Sequence, residues 1–278
     1  MSQNPLQQYF RQPSIYIRLP SAGKHYPEGT LIMPPNGEIP VLPMTAVDEI
    51  TYRTPDALFN GSAMVSVIQS CVPNIRNAWA IPAMDVDTIL VGIRMASYGH
   101  NLDLGTQCPA CKHETEFEID LRSALDQIRP PNYDQSVRHG DLEFYFKPMN
   151  YKNLNENNQA QFDQQKLISM LPDSEIPETD KLSAIGDALR KITAMTIDAL
   201  CQSIAAVKTP SVLVTETEYI RELMQNCDRT VFNSVRDHIV TLKNQAELQP
   251  LKLTCPECKH NYQQAITLDM TSFFEAAS

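Results

Sequence analysis

The chain has 278 residues, 42% hydrophobic and 20% charged, enough apolar material for one large domain or two smaller ones. Its formal net charge of −10, with a sequence pI near 5.1, disfavours nucleic acid as a partner, since phosphate binding needs a basic face and no run of Lys and Arg supplies one. No apolar run approaches the roughly 20 residues that cross a bilayer, and Met1-Ser-Gln-Asn-Pro5 has neither the basic start nor the apolar stretch of a signal peptide.

Residues 1–44 read as an N-terminal β arm. Ile15-Tyr-Ile-Arg-Leu19 is a β-prone run closed by Pro20-Ser-Ala-Gly23. Leu31-Ile-Met33 and Ile39-Pro-Val-Leu42 flank Pro34-Pro-Asn-Gly37, and Asn-Gly is the dipeptide that a tight hairpin prefers. The prolines point to edge strands.

Residues 45–100 read as a helical segment. Thr45 caps a helix over 46–52, with Asp48 and Glu49 in its first turn. Thr54-Pro55 resembles a second cap with proline at the first helical position. Met64, Val67, Ile68 and Cys71 share one helical stripe. Val86, Ile89, Leu90, Ile93 and Ser97 form another, after a possible Asp85 cap and up to Tyr98-Gly99.

Two near-copies of one motif come next and last. The first is Leu104-Gly-Thr-Gln-Cys108-Pro-Ala-Cys111-Lys-His113, running on to Ile119 and Leu121; the second is Leu251-Lys-Leu-Thr-Cys255-Pro-Glu-Cys258-Lys-His260, running on to Ile266 and Leu268. Each reads as strand, knuckle, strand, because Phe117, Ile119 and Leu121 alternate after the first and Tyr262–Leu268 follows the second. Four thiols in two Cys-Pro-x-Cys knuckles match a tetrahedral zinc ion, which predicts one structural Zn2+ per chain on Cys108, Cys111, Cys255 and Cys258. Separate sites completed by His113 or His260 remain an alternative. A thioredoxin-like redox role is disfavoured, because neither knuckle leads into a helix.

Between the knuckles, residues 122–249 read as a mostly helical insertion. Val137–Phe146 suggests a hairpin around Gly140, Asn150–Leu171 an Asn/Gln-rich helix, and Pro172–Thr179 a loop. Asp180–Val207 reads as one long helix, apolar around much of its circumference from Ile192 to Val207 and therefore buried. Ile220, Leu223, Met224 and Cys227 form a further stripe, as do Val231, Val235, Ile239 and Leu242. Cys71, Cys201 and Cys227 lie on apolar stripes and read as core residues. An odd total of seven cysteines with no export signal suits a reducing compartment better than a disulfide framework.

The expected fold class is α+β: a mainly helical body, the N-terminal β arm, and a split zinc-ribbon-like β element made from 101–121 plus 250–268, with 269–278 as a tail. No catalytic or cofactor-binding residue stands out. The carboxylate pairs Asp48-Glu49 and Asp85/Asp87 sit at helix starts, where the helix dipole accounts for them, and no Gly-rich phosphate cradle occurs.

Several stretches resemble the T-even-type bacteriophage baseplate proteins, the hub or hub-assembly family. They are Leu19-Pro-Ser-Ala-Gly-Lys-His-Tyr-Pro27, Pro43-Met-Thr-Ala-Val-Asp-Glu-Ile50, Thr54-Pro-Asp-Ala-Leu-Phe-Asn-Gly61, Ile93-Arg-Met-Ala-Ser-Tyr-Gly99, the two knuckles and Phe273-Phe274. The resemblance implies a non-enzymatic subunit of a contractile-tail baseplate that works through contacts with other baseplate and tail proteins. It implies no small-molecule substrate, a location in the host cytoplasm during assembly, and then the virion tail. A transient assembly chaperone and a zinc-ribbon nucleic-acid-binding protein are the alternatives.

Overall fold

The computed structural model describes residues 4–53, 61–170 and 177–266. The Thr54-Pro55 cap, most of the 172–179 loop, Leu268 and Phe273-Phe274 lie outside them. The chain is α+β and divides into two compact units, Met1–Pro130 with Gln245–Ser278, and Pro131–Asn244.

In the first unit, β1 (Ile15–Ile17) pairs antiparallel with β2 (Ile39–Val41), not with the run before the Asn36-Gly37 turn. The expected hairpin is corrected here. Gly37 does adopt the left-handed φ of 72° and donates to Pro34 O, but Pro34 and Pro35 stand where a returning ladder needs N–H donors. Leu31 instead forms an isolated bridge with Ile75.

Helix α1 (Ala46–Tyr52) starts at Thr45 as expected. The Thr45 hydroxyl accepts from the Asp48 amide and the Asp48 carboxylate accepts from the Thr45 amide, a complete capping box. Helix α2 (Ser62–Cys71) buries Ala63, Val65, Val67, Ile68 and Cys71. Helix α3 (Ala83–Tyr98) buries Val86, Ile89, Leu90 and Ile93 of the predicted stripe, leaves Ser97 half-buried, and stops at Gly99. Its N-cap is Pro82, so Asp85 lies inside the first turn and does not cap. β1 lies on α3 at Gly92, where an added Cβ would sit 2.9 Å from Ile17 Cγ2.

The hairpin β3 (Asn101–Gln107) and β4 (Glu114–Asp120) carries the first knuckle, and the short helix α4 (Leu121–Leu125) follows. Leu121 therefore opens a helix instead of ending the strand. In the second unit, β5 (Val137–His139) and β6 (Leu142–Phe146) form the expected hairpin at Gly140. Helix α5 (Tyr151–Met170) packs against α6 (Glu178–Gln202).

The long apolar helix expected over Asp180–Val207 is corrected as well: α6 ends at Gln202, and β7 (Ile204–Lys208) pairs with β6 and with β8 (Leu213–Val214). A β-rich run beside an available sheet edge pairs in preference to extending a helix. Nor is the helical part of that apolar stretch buried around its circumference: over residues 192–202 only Leu200 and Cys201 are buried, and Thr193, Ala194 and Thr196 are exposed. The core of this unit joins Phe144, Phe146, Cys201 and Ile204 to Ile220 and Met224 of α7 (Thr217–Asn226) and Val231, Val235 and Leu242 of α8 (Arg229–Ala246). At about 1.5–3 kcal/mol per fully buried large apolar side chain, this cluster supplies most of the drive for the sheet to close on those helices. The second hairpin, β9 (Leu251–Thr254) and β10 (Asn261–Gln264), belongs to the first unit and carries the second knuckle.

Candidate metal centre

Both knuckles are built by the same local rule. In the first, the Cys108 amide donates to His113 O and the Lys112 amide to Cys108 O, each at 2.9 Å. In the second, the Cys255 amide donates to His260 O at 2.9 Å and the Lys259 amide to Cys255 O at 3.0 Å. Lys112 and Lys259 adopt left-handed φ values of 61° and 60°, which turns the chain back after the second cysteine of each copy. The flanking strands hold the knuckle ends in register, Gln107 opposite Glu114 and Thr254 opposite Asn261. Between the hairpins, the Thr106 hydroxyl lies 3.3 Å from the Tyr262 hydroxyl and from Gln264 Oε1.

The four predicted cysteines converge. The Sγ atoms of Cys108, Cys111, Cys255 and Cys258 all lie within 4.8 Å of one another, with Cys108 and Cys258 at 3.7 Å and Cys111 and Cys255 at 3.6 Å. The first cysteine of each knuckle is buried and the second is exposed. The His113 and His260 side chains are not part of this group; what the knuckles use is their carbonyls. Cys71 and Cys201 are buried and Cys227 half-buried, and none of them is a member of the group, as expected for packing residues.

Bringing the sulfurs together splits the acidities of the two cysteines of the first knuckle. Cys108 accepts from the Cys111 amide, with further bonds from Ala110, Cys111 and Cys258, and its pKa falls to about 6. Cys111 accepts from the His113 amide, which lowers its pKa, but the sulfurs of Cys258, Cys255 and Cys108 outweigh that bond and push it up to about 12. One thiolate forms readily and the next cannot form beside it without a compensating cation. The cluster can hold a metal ion, and binding would release protons.

A family model described as T4 bacteriophage base plate protein matches residues 27–275, a span that includes both knuckles. The chain belongs to that family. No curated protein and no solved structure gives a significant match. As a member of the T4 base plate protein family it reads as a structural subunit of a phage baseplate, with phage tail proteins as its partners. Among the described residues of this base plate protein, no helix is long and apolar enough to cross a membrane.

Two polar nodes near the family-like N-terminal motifs have no sequence signature. The Asp85 carboxylate is fully buried and accepts from the Ser21 amide (2.8 Å), the Ser21 hydroxyl and the Tyr26 hydroxyl (2.9 Å), tying the 19–27 turn to α3. Burial outweighs those three bonds and raises its pKa to about 6. The Arg11 guanidinium donates to Pro43 O, Asp48 Oδ2 (3.1 Å), Ser70 O (2.8 Å) and Ser70 Oγ (2.7 Å), fastening the N-terminal arm to α1 and α2.

Proposed function

We propose that this baseplate protein is a non-enzymatic structural or assembly subunit of the central hub of a contractile-tail baseplate, stapled by one structural zinc ion. Cys108, Cys111, Cys255 and Cys258 would hold the ion, and 101–121 with 250–268 would form a split zinc ribbon around it. The observation that carries this reading is the sulfur spacing. Four sulfurs at about 2.3 Å from a tetrahedral zinc lie about 3.8 Å apart, and the pairs at 3.6 and 3.7 Å fit that edge length. Zinc would supply the positive charge that lets Cys111, whose pKa its neighbouring sulfurs push up, ionise beside the Cys108 thiolate.

A closed set of four thiolates leaves no coordination position for water or substrate, which supports an architectural role over a catalytic one. The closure joins residues 144 positions apart, so the metal pins the two hairpins of the first unit across everything between them. The protein would act through contacts with other tail proteins, in the host cytoplasm during assembly and then in the virion tail.

Co-expression with the tail proteins of the same phage, followed by mass spectrometry of purified particles, tests the assignment. The expected result is co-assembly that is indifferent to DNA, with the chain retained in particles. Its presence on the assembly pathway but absence from particles would instead make it a transient chaperone. Salt-sensitive retention on DNA without co-assembly would overturn the reading.

A further inference from the structure

One face of the β3–β4 hairpin carries residues that the fold does not use. Asp103, Gly105 and Gln107 of β3 are exposed, as are Glu114, Glu116 and Glu118 of β4, while Leu104, Phe117 and Ile119 between them are half-buried. The register sets Asp103 opposite Glu118, Gly105 opposite Glu116 and Gln107 opposite Glu114, so four carboxylates share this face. Like charges directly opposite each other destabilise a ladder. Among the described residues, Glu114, Glu116 and Glu118 form no salt bridge. Glu118 accepts from Asn101 Nδ2, and Arg122, the next arginine along the chain, is paired with Asp120 at 2.7 Å.

The second hairpin is an internal control. It builds the same knuckle with the same backbone hydrogen bonds, yet in the same register it sets Lys252 opposite Gln263 and Thr254 opposite Asn261, and Ala265 stands where the first copy has Glu118. The knuckle therefore needs neither the glutamates nor the glycine. Gly105 is an independent observation. Its φ is not left-handed, and a Cβ added there would meet nothing within 4 Å, so neither backbone nor packing calls for glycine. Glycine inside a strand weakens it, and often marks a place where another backbone or a ligand comes close. Gly105 lines a hollow of about 610 Å3 together with Thr106, Gln107, Glu114, Thr115 and Glu116.

We infer that this face receives an extended, basic segment of another protein, whose Lys or Arg side chains pair with Glu114, Glu116 and Glu118 while its backbone passes over Gly105. Charge and spacing select the occupant. The glutamates recur every second residue, about 6.8 Å apart, which is the interval at which an extended chain presents its own alternate side chains. Nucleic acid and anionic lipid are repelled by the same carboxylates. A second copy of this chain brings a net charge of −10 and no run of Lys and Arg. Among the described residues, the four cysteines are the only His, Cys, Asp or Glu side chains gathered closely enough to hold a metal ion, so the glutamates are spread along a ladder and not collected around a cation.

The baseplate reading bears only on which protein supplies the segment, so the full-length chain is titrated first with a synthetic Lys-Thr-Lys-Thr-Lys-Thr-Lys peptide and then with overlapping peptides from the other tail proteins of the phage. The synthetic peptide should bind, and binding should weaken at least about tenfold between about 0.1 M and about 1 M salt, where the screening length falls from about 10 to about 3 Å. Combining Glu114→Gln, Glu116→Gln and Glu118→Gln should weaken it about tenfold, from three exposed ion pairs. Combining Asp163→Asn, Asp180→Asn and Glu218→Gln, exposed acids of the second unit, changes the net charge equally and should leave binding intact. Gly105→Thr should raise the melting temperature by about 2 °C and yet weaken binding several-fold, a pairing that misfolding does not produce. No binding of the synthetic peptide, equal losses in the two triple variants, or full affinity in Gly105→Thr would overturn the inference. Binding of the synthetic peptide with none of the tail-protein peptides would count against the baseplate reading and leave the docking face standing.

Discussion

Asp85→Asn isolates the cost of burying one carboxylate. The native carboxylate titrates at about 6, against 3.8 for the ordinary group, because burial disfavours its charged form more than Ser21 and Tyr26 favour it. The folded-state pKa lies above the unfolded one, so the folded protein holds the proton more tightly. That contribution to stability is complete below about pH 4 and is lost as pH rises through about 6. Roughly two units at about 1.4 kcal/mol each give about 3 kcal/mol. Asparagine keeps the shape and does not titrate. Urea unfolding of both proteins at intervals from pH 4 to 7 should therefore give a stability difference, native minus variant, that falls by about 2.4 kcal/mol across the range, since the unfolded carboxyl is already part-ionised at pH 4. Thiol protonation and metal loss at low pH enter both proteins alike and cancel in that difference. A difference that stays flat, or grows with pH, would refute the burial argument.

Three further outcomes follow from the geometry. Cys108→Ser and Cys255→Ser should destabilise by similar amounts, with loop closure over 144 positions contributing about 5 kcal/mol by analogy with a disulfide; the double variant should add little, since either one empties the same site. Gly92→Ala should lower the melting temperature, because pressing a Cβ to 2.9 Å from Ile17 Cγ2 costs about 1–3 kcal/mol while helix propensity returns about 1. Arg11→Ala should cost about 2 kcal/mol in denaturant unfolding, and Arg11→Lys should not rescue it, because a point charge cannot serve Pro43, Asp48 and Ser70 together.

What the sequence disclosed was local or repeated. The Thr45 cap sits directly before the helix it starts, and the helix stripes of α2 and α3 need only spacing; that Asp48 answers Thr45 in a capping box emerged with the structure. The knuckles were legible because two copies share cysteines, flanking strands and the lysine that turns left-handed. What stayed hidden depends on distant partners. Asp85 has the position of a dipole-compensating residue, and only a fold that brings Ser21 and Tyr26 to it, 64 and 59 positions away, gives it another task. The Asn36-Gly37 turn announces a reversal without saying which strands pair, and the strand opposite β2 turned out to be β1. Ile204–Lys208 has a composition that suits a helix or a strand, and β6 decided between them.

Native mass spectrometry of the full chain, purified under reducing conditions without added chelator, tests the central claim most directly. One zinc per chain is predicted, lost on Cys108→Ser and equally on Cys255→Ser, since both knuckles serve the same ion. Two zincs per chain, none, or a zinc that survives either substitution would contradict it.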